Sequence, residues 1–144
     1  MSRHLLVSFD DSALSDRALT FACSTFPEDR ITALYVIDAQ SDDTAAVGWG
    51  DTTDQYGRWV ESRRGFADEL LRHAQSLADE YGVTLETVIA IGRVRDAVVD
   101  FYADNDVDLV VMGFHPRPRL SAYLAGEFSE RVIRSSDIPV ALVK

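Results

Sequence analysis

The chain has 144 residues, enough for one domain around a single core, here expected to span residues 1–144. Its formal net charge of −10 argues against nucleic-acid binding, which needs a basic footprint. No apolar run approaches the roughly 20 residues of a membrane span, and the N-terminus enters a strand with no signal-peptide pattern. The lone Cys23 excludes an internal disulfide and suits a reducing cytoplasm. Lys144 is the only lysine, and so acidic a surface suits solubility in a salt-rich cytoplasm.

His4-Leu5-Leu6-Val7-Ser8-Phe9 reads as the first strand. Asp10-Asp11-Ser12 follows, with Ser12 as N-cap of a helix to about Phe26 and Asp16 adding negative charge early in it. Leu14, Ala18, Phe21, Ala22 and Phe26 recur at helical spacing and predict its buried face. Ile31 to Ile37 is the second strand. The stretch from Gln40 to Gly57 is polar and glycine-bearing, the composition of a lid or binding loop. A helix from about Trp59 to Tyr81 follows, with Phe66, Leu70, Ala74, Leu77 and Tyr81 as its core stripe and Gly82 as its stop. Thr84 to Ile91 is strand three, and Arg93 to Asn105 a helix with Val94, Val98, Phe101 and Tyr102 inward. Strand four is Leu109 to Met112. A helix from about Glu127 to Ser135 and a strand from Ile138 to Val143 close the chain.

Strands alternating with helices predict an α/β domain with an open parallel sheet of five strands and right-handed crossovers. Continuous apolar strands such as Ala33 to Ile37 suit burial on both faces. The stretch after strand four carries the candidate site. Gly113 ends the strand, a polar loop with Pro116, Arg117, Pro118 and Arg119 follows, and Gly126 precedes a helix. Strand, glycine, loop and helix N-terminus is an arrangement that places an anion against free N–H groups.

These residues resemble the signature of the universal stress protein family: a Gly after strand four, two residues, a Gly, nine residues, then Gly-Ser or Gly-Thr. Gly113 and Gly126 stand at the matching separation. Leu109 to Gly113, Phe128 to Val132 and Ile138 to Val143 fit the flanks. The resemblance covers the whole chain and implies strand order 3-2-1-4-5, a Rossmann-like sheet. That order puts the carboxyl ends of strands one and four at the switch point, where open α/β sheets bind ligands. It also implies that Asp10, Val36, Met112, Gly113, Arg117, Gly126, Glu127 and Phe128 occupy the positions around an adenine nucleotide, ATP or AMP.

Two positions depart from the signature. Pro116 replaces the middle glycine and has no N–H for a phosphate. Glu127 replaces the hydroxyl residue, and its carboxylate takes the place of a phosphate at the helix start. Two like charges about 4 Å apart near a surface repel by about 4 kcal/mol, roughly three powers of ten in affinity. His115, Arg117 and Arg119 put positive charge in the same loop, either facing a phosphate or paired with neighbouring acids. Asp10 either bonds a ligand or caps the first helix.

Two functions follow. One is a homodimeric stress-response and interaction module with a weakened or lost ATP site. The other is an adenine-nucleotide binder with altered phosphate contacts. A receiver domain is a third comparison, since Asp10-Asp11 and Lys144 sit at suitable strand ends. It lacks an acceptor acid after strand three, where Ile91-Gly92 stands. No catalytic base or nucleophile stands out, so no enzyme is expected. His4, His73 and His115 lack ligand spacing, so no metal is expected either. Ile138 to Val143 carries its one proline at the start and no charge before Lys144. As an edge strand it needs covering, and pairing with its own copy across a two-fold axis is the expected dimer contact.

Overall fold

The computed structural model describes residues 2–38, 53–114 and 137–144. In chain order it has β1 (His4–Ser8), α1 (Ala13–Thr25), β2 (Arg30–Ile37), α2 (Thr53–Asp79), β3 (Glu86–Ile91), α3 (Val94–Asp104), β4 (Leu109–Gly113) and β5 (Val140–Val143). The five strands form one sheet in the order β3-β2-β1-β4-β5, and every neighbouring pair is parallel. This is the expected α/β class and strand order. The segment 127–135, expected to be helical, lies outside the described residues.

Strand side chains alternate between two layers, as the two-residue repeat requires. Leu5, Val7, Ala33, Tyr35, Ile37 and Val111 face α1 and α2. Leu6, Leu34, Val36, Val110 and Met112 face α3 and pack on Val98. Both faces of the central strands are therefore dry, which is why β2 and β4 read as unbroken apolar runs.

Ser12 caps α1 as expected, accepting the Ser15 N–H at 3.2 Å from an extended backbone, and Phe26 closes the helix. The buried side of α1 is narrower than its periodicity suggests. Ala18, Leu19, Ala22 and Cys23 are buried, but Phe21 is 38% exposed and leans edge-on against Phe26.

Three boundaries differ from the sequence reading. α2 begins at Thr53, so part of the expected loop is helix and Gly57 lies inside it. An interior glycine costs about 1 kcal/mol, which Trp59, buried in the α1/α2 core, offsets. The α2 stripe is rotated by one position. Ala67, Leu71, Ala74 and Ala78 face the core, Phe66, Leu70 and Leu77 flank it, and Tyr81 is 41% exposed. The alanines let the helix lie close to the sheet while larger residues seal the sides.

β3 starts at Glu86 rather than Thr84. The chain before it is bonded to α2 instead: Val83 N–H donates to Ala78 O, and Leu85 N–H to the Gln75 side chain. β5 starts at Val140, just after Pro139, which has no N–H for a ladder. Ile138 is buried beside α3 rather than part of the strand.

Candidate functional site

The sheet reverses direction of winding at β1 and β4. β2 pairs with β1 on one side and β4 on the other, and α1, which follows β1, packs against β4. The crevice above the carboxyl ends of β1 and β4 is the place where such sheets bind ligands.

Asp10, the first acid beyond β1, sits in a closed turn. Its Oδ1 accepts the Ser12 N–H at 2.8 Å. Its own N–H donates to Ser15 Oγ at 3.1 Å, and the Ser15 hydroxyl contacts Asp10 O at 2.7 Å and Ser12 O at 3.0 Å. Together with the Ser12 cap, these bonds occupy donors at the start of α1 that an anion would otherwise use. The helix-capping role of Asp10 is thus real, and the side chain is still exposed at the crevice. Ser15 was missed by sequence reasoning. Its signal was a second serine three residues after the N-cap.

Val36 behaves differently. The ladder from β1 to β2 ends with Phe9 N–H donating to Leu34 O at 2.9 Å. In a parallel strand alternate residues turn N–H and C=O the same way, so Val36 points its backbone toward β1, as Leu34 does. β1 has stopped by then, and among the described residues no backbone group of the β1 side bonds Val36. Its side chain is core and its peptide edge faces the crevice. An exposed peptide edge can pair with a heterocycle that has one donor beside one acceptor.

Met112 is 2% exposed and fills the α3-side core with Leu6 and Ile138. Its side chain is therefore structural. Gly113 is tightly constrained, for a reason other than the expected one. A Cβ there would lie 2.8 Å from Leu14 Cβ and 3.1 Å from Leu14 C. The space that glycine leaves is filled by the first turn of α1 rather than kept for a ligand. Gly113 thus sets how closely α1 approaches β4 at the switch point. Arg117, Gly126, Glu127 and Phe128, like Pro116, lie outside the described residues.

Cys23, His73 and His4, among the described residues, have structural surroundings. Cys23 is buried, and burial pushes its thiol up to about 11, far from a thiolate nucleophile. His73 meets Asp16 at 3.1 Å and packs on Phe9, tying α2 to α1. His4 is held between Asn105 O at 3.0 Å and Thr32 Oγ1 at 2.8 Å.

The universal stress protein family matches residues 1–144. The chain belongs to the universal stress protein family. It is 28% identical to universal stress protein MJ0531 of Methanocaldococcus jannaschii over 147 residues, covering 99% of this chain and 82% of that one. Universal stress protein UspA from Lactobacillus plantarum shares the fold with a TM-score of 0.79 at 21% identity, over 99% of this chain and 97% of the other. A universal stress protein solved in complex with cAMP shares it with a TM-score of 0.68 at 20% identity, over 99% and 96%. Among the described residues no helix is long and apolar enough to cross a membrane.

Proposed function

We propose that this chain is a cytoplasmic, homodimeric stress-response module whose crevice keeps the adenine end of a nucleotide site and has a weakened phosphate end. It binds rather than turns over its ligand. The observation that carries this reading is the Val36 peptide edge, turned into the crevice past the end of β1. The Asp10–Ser12–Ser15 turn supports the second half, because it consumes donors at the start of α1. Pro116 and Glu127 act in the same direction. A relative of this fold in complex with cAMP, a monophosphate, is in keeping with a site suited to AMP more than to ATP. Arg117 and Arg119 are the residues that a retained phosphate would recruit.

Calorimetric titration of ATP, AMP and adenosine, at low and high salt, tests the ligand. AMP and adenosine are expected to bind more tightly than ATP. An affinity order with ATP first overturns the weakened phosphate end, and silence for all three overturns the site. Leu142 is 39% exposed on the β5 edge, which supports pairing of that strand with its copy. Val140→Lys with Leu142→Lys is expected to give a monomer in size-exclusion chromatography. A dimer that survives both substitutions rejects that interface.

A further inference from the structure

The other edge of the sheet, β3, carries features that the nucleotide crevice does not use. Gly92 N–H donates to Ile37 O at 3.0 Å, and Ile37 and Ile91 are register partners. Parallel pairing then turns Glu86, Val88 and Ala90 toward β2 and Thr87, Ile89 and Ile91 outward. The outward N–H and C=O groups of these three residues form a template for one more strand. No charge or proline interrupts Thr87-Val88-Ile89-Ala90-Ile91, and Ile91 is 45% exposed.

A groove lies along this edge on each face. The one between β3 and α2 encloses about 590 Å³, with Arg64, Asp68 and Arg72 on its helical wall. The one between β3 and α3 encloses about 370 Å³ and is walled by Asp96, Asp100 and Asp104, with Arg93 at one end. The two faces thus have opposite net charge. Asp96 is paired with Arg95 at 3.4 Å. Among the described residues Arg64, Arg72, Asp100 and Asp104 make no salt bridge.

We propose that the β3 edge is a docking site for an extended segment of a partner protein, added as a sixth strand, whose side chains alternate acidic and basic. A strand projects successive side chains to opposite faces. One set would enter the α2 groove and meet Arg64 and Arg72, and the other would enter the α3 groove and meet Asp100 and Asp104. Charge argues against a second copy of this chain as occupant. An antiparallel copy continuing the sheet across a two-fold axis sets α2 beside α2 and α3 beside α3, so arginines meet arginines and aspartates meet aspartates.

Two synthetic peptides of one composition test this: one alternating Glu and Arg, the other with the same residues in Glu-Glu-Arg-Arg blocks. The alternating peptide is expected to protect the Thr87, Ile89 and Ile91 amides from hydrogen exchange. The block peptide is expected to bind about tenfold more weakly, the order for several exposed pairs exchanged for like-charge contacts. Thr87→Pro removes an outward N–H without touching the β2 ladder, and is expected to abolish that protection. The double variant Arg64→Glu with Arg72→Glu, both on the helix surface, is expected to lose about tenfold if the proline variant misfolds. Equal affinity for both peptides, or protection elsewhere than on β3, overturns the proposal. Protection of the same amides that rises with protein concentration alone assigns the edge to a second copy and overturns it too.

Discussion

The two faces of the sheet are built from the same strands by different means. On the α1/α2 face the core is apolar, Leu5, Val7, Ala33 and Ile37 against Leu19, Ala22, Leu71 and Ala78, with the polar contacts His73–Asp16 and Arg63–Tyr35 beside it. On the α3 face a polar seam runs through the core. His4 is only 5% exposed, Thr32 1%, and the line continues from Asn105 O through His4 and Thr32 to Glu86 and Arg30. The first face supplies bulk stability, because hydrophobic burial needs no direction. The second supplies a directional link between β1, β2, β3 and the end of α3, one that loses its value when any partner is removed.

The largest effect belongs to the dry face. Leu19→Ala empties a fully buried site between α1 and the sheet, and is expected to cost about 2–5 kcal/mol in urea unfolding. A cost under about 1 kcal/mol would mean that α1 re-seats on its alanines. Gly113→Ala comes next, because its Cβ collides with the first turn of α1. Overpacking there is expected to cost about 1–3 kcal/mol in urea unfolding. Leu14→Ala in the same chain should not relieve the clash, because the colliding atoms are Leu14 Cβ, C and O, all of which alanine keeps.

Thr32→Val tests the polar face. His4 Nδ1 faces a carbonyl and so carries the proton that donates to Asn105 O. A neutral ring then needs the Thr32 hydroxyl as donor to Nε2, while Glu86 Oε2 competes for the same hydrogen at 3.2 Å. A charged ring reverses the bond and frees the hydroxyl for Glu86. Valine keeps the shape and leaves a buried ring nitrogen without its partner, at an expected cost of about 1–3 kcal/mol. The His4 ring nitrogens observed by NMR in the variant report the change directly. An unchanged His4 tautomer and an unchanged midpoint would mean that water replaces the hydroxyl.

The α/β class was legible because short unbroken apolar runs alternate with helical patterns along this chain, while the strand order came from the family resemblance and not from those patterns. Ala33 to Ile37 and Leu109 to Met112 admit only buried strands, and Ser12 and Gly82 mark helix ends by backbone needs of their own. The α2 register was not legible. Small alanines and large leucines share its apolar positions, and only the closeness of helix and sheet decides which faces inward. The site was read unevenly. Glycine at position 113 looked like room for a ligand, yet the sequence cannot say which neighbour claims that room, and Leu14 lies 99 residues away in the chain. Val36 gave no side-chain signal at all. Its contribution is the direction of a peptide edge, fixed by where β1 stops. The β3 edge was hidden for the same reason, since alternating charge sits on two helices distant in sequence.

The smallest expected effect lies where the polar seam reaches the surface. Glu86 is held below the usual carboxylate range, first by the hydrogen bond from the Arg30 guanidinium, then by its charge, with smaller help from Thr32 and His4. Partial burial opposes this. A carboxylate depressed in the folded state adds stability above its unfolded value, near pH 4.5, and loses it as pH falls through the folded value. Both side chains are about half exposed, so solvent screens much of the interaction. Glu86→Gln keeps the shape and removes the charge. The stability gap between native chain and variant is expected to be largest above about pH 5 and to narrow as pH falls toward 3. High salt should shrink the gap at neutral pH. Urea midpoints at several pH values measure it. A gap that stays constant down to pH 3 would mean that Arg30 and Glu86 contribute geometry to the β2–β3 pairing and not charge, leaving the interior part of the seam, His4 and Thr32, as the whole of its directional link.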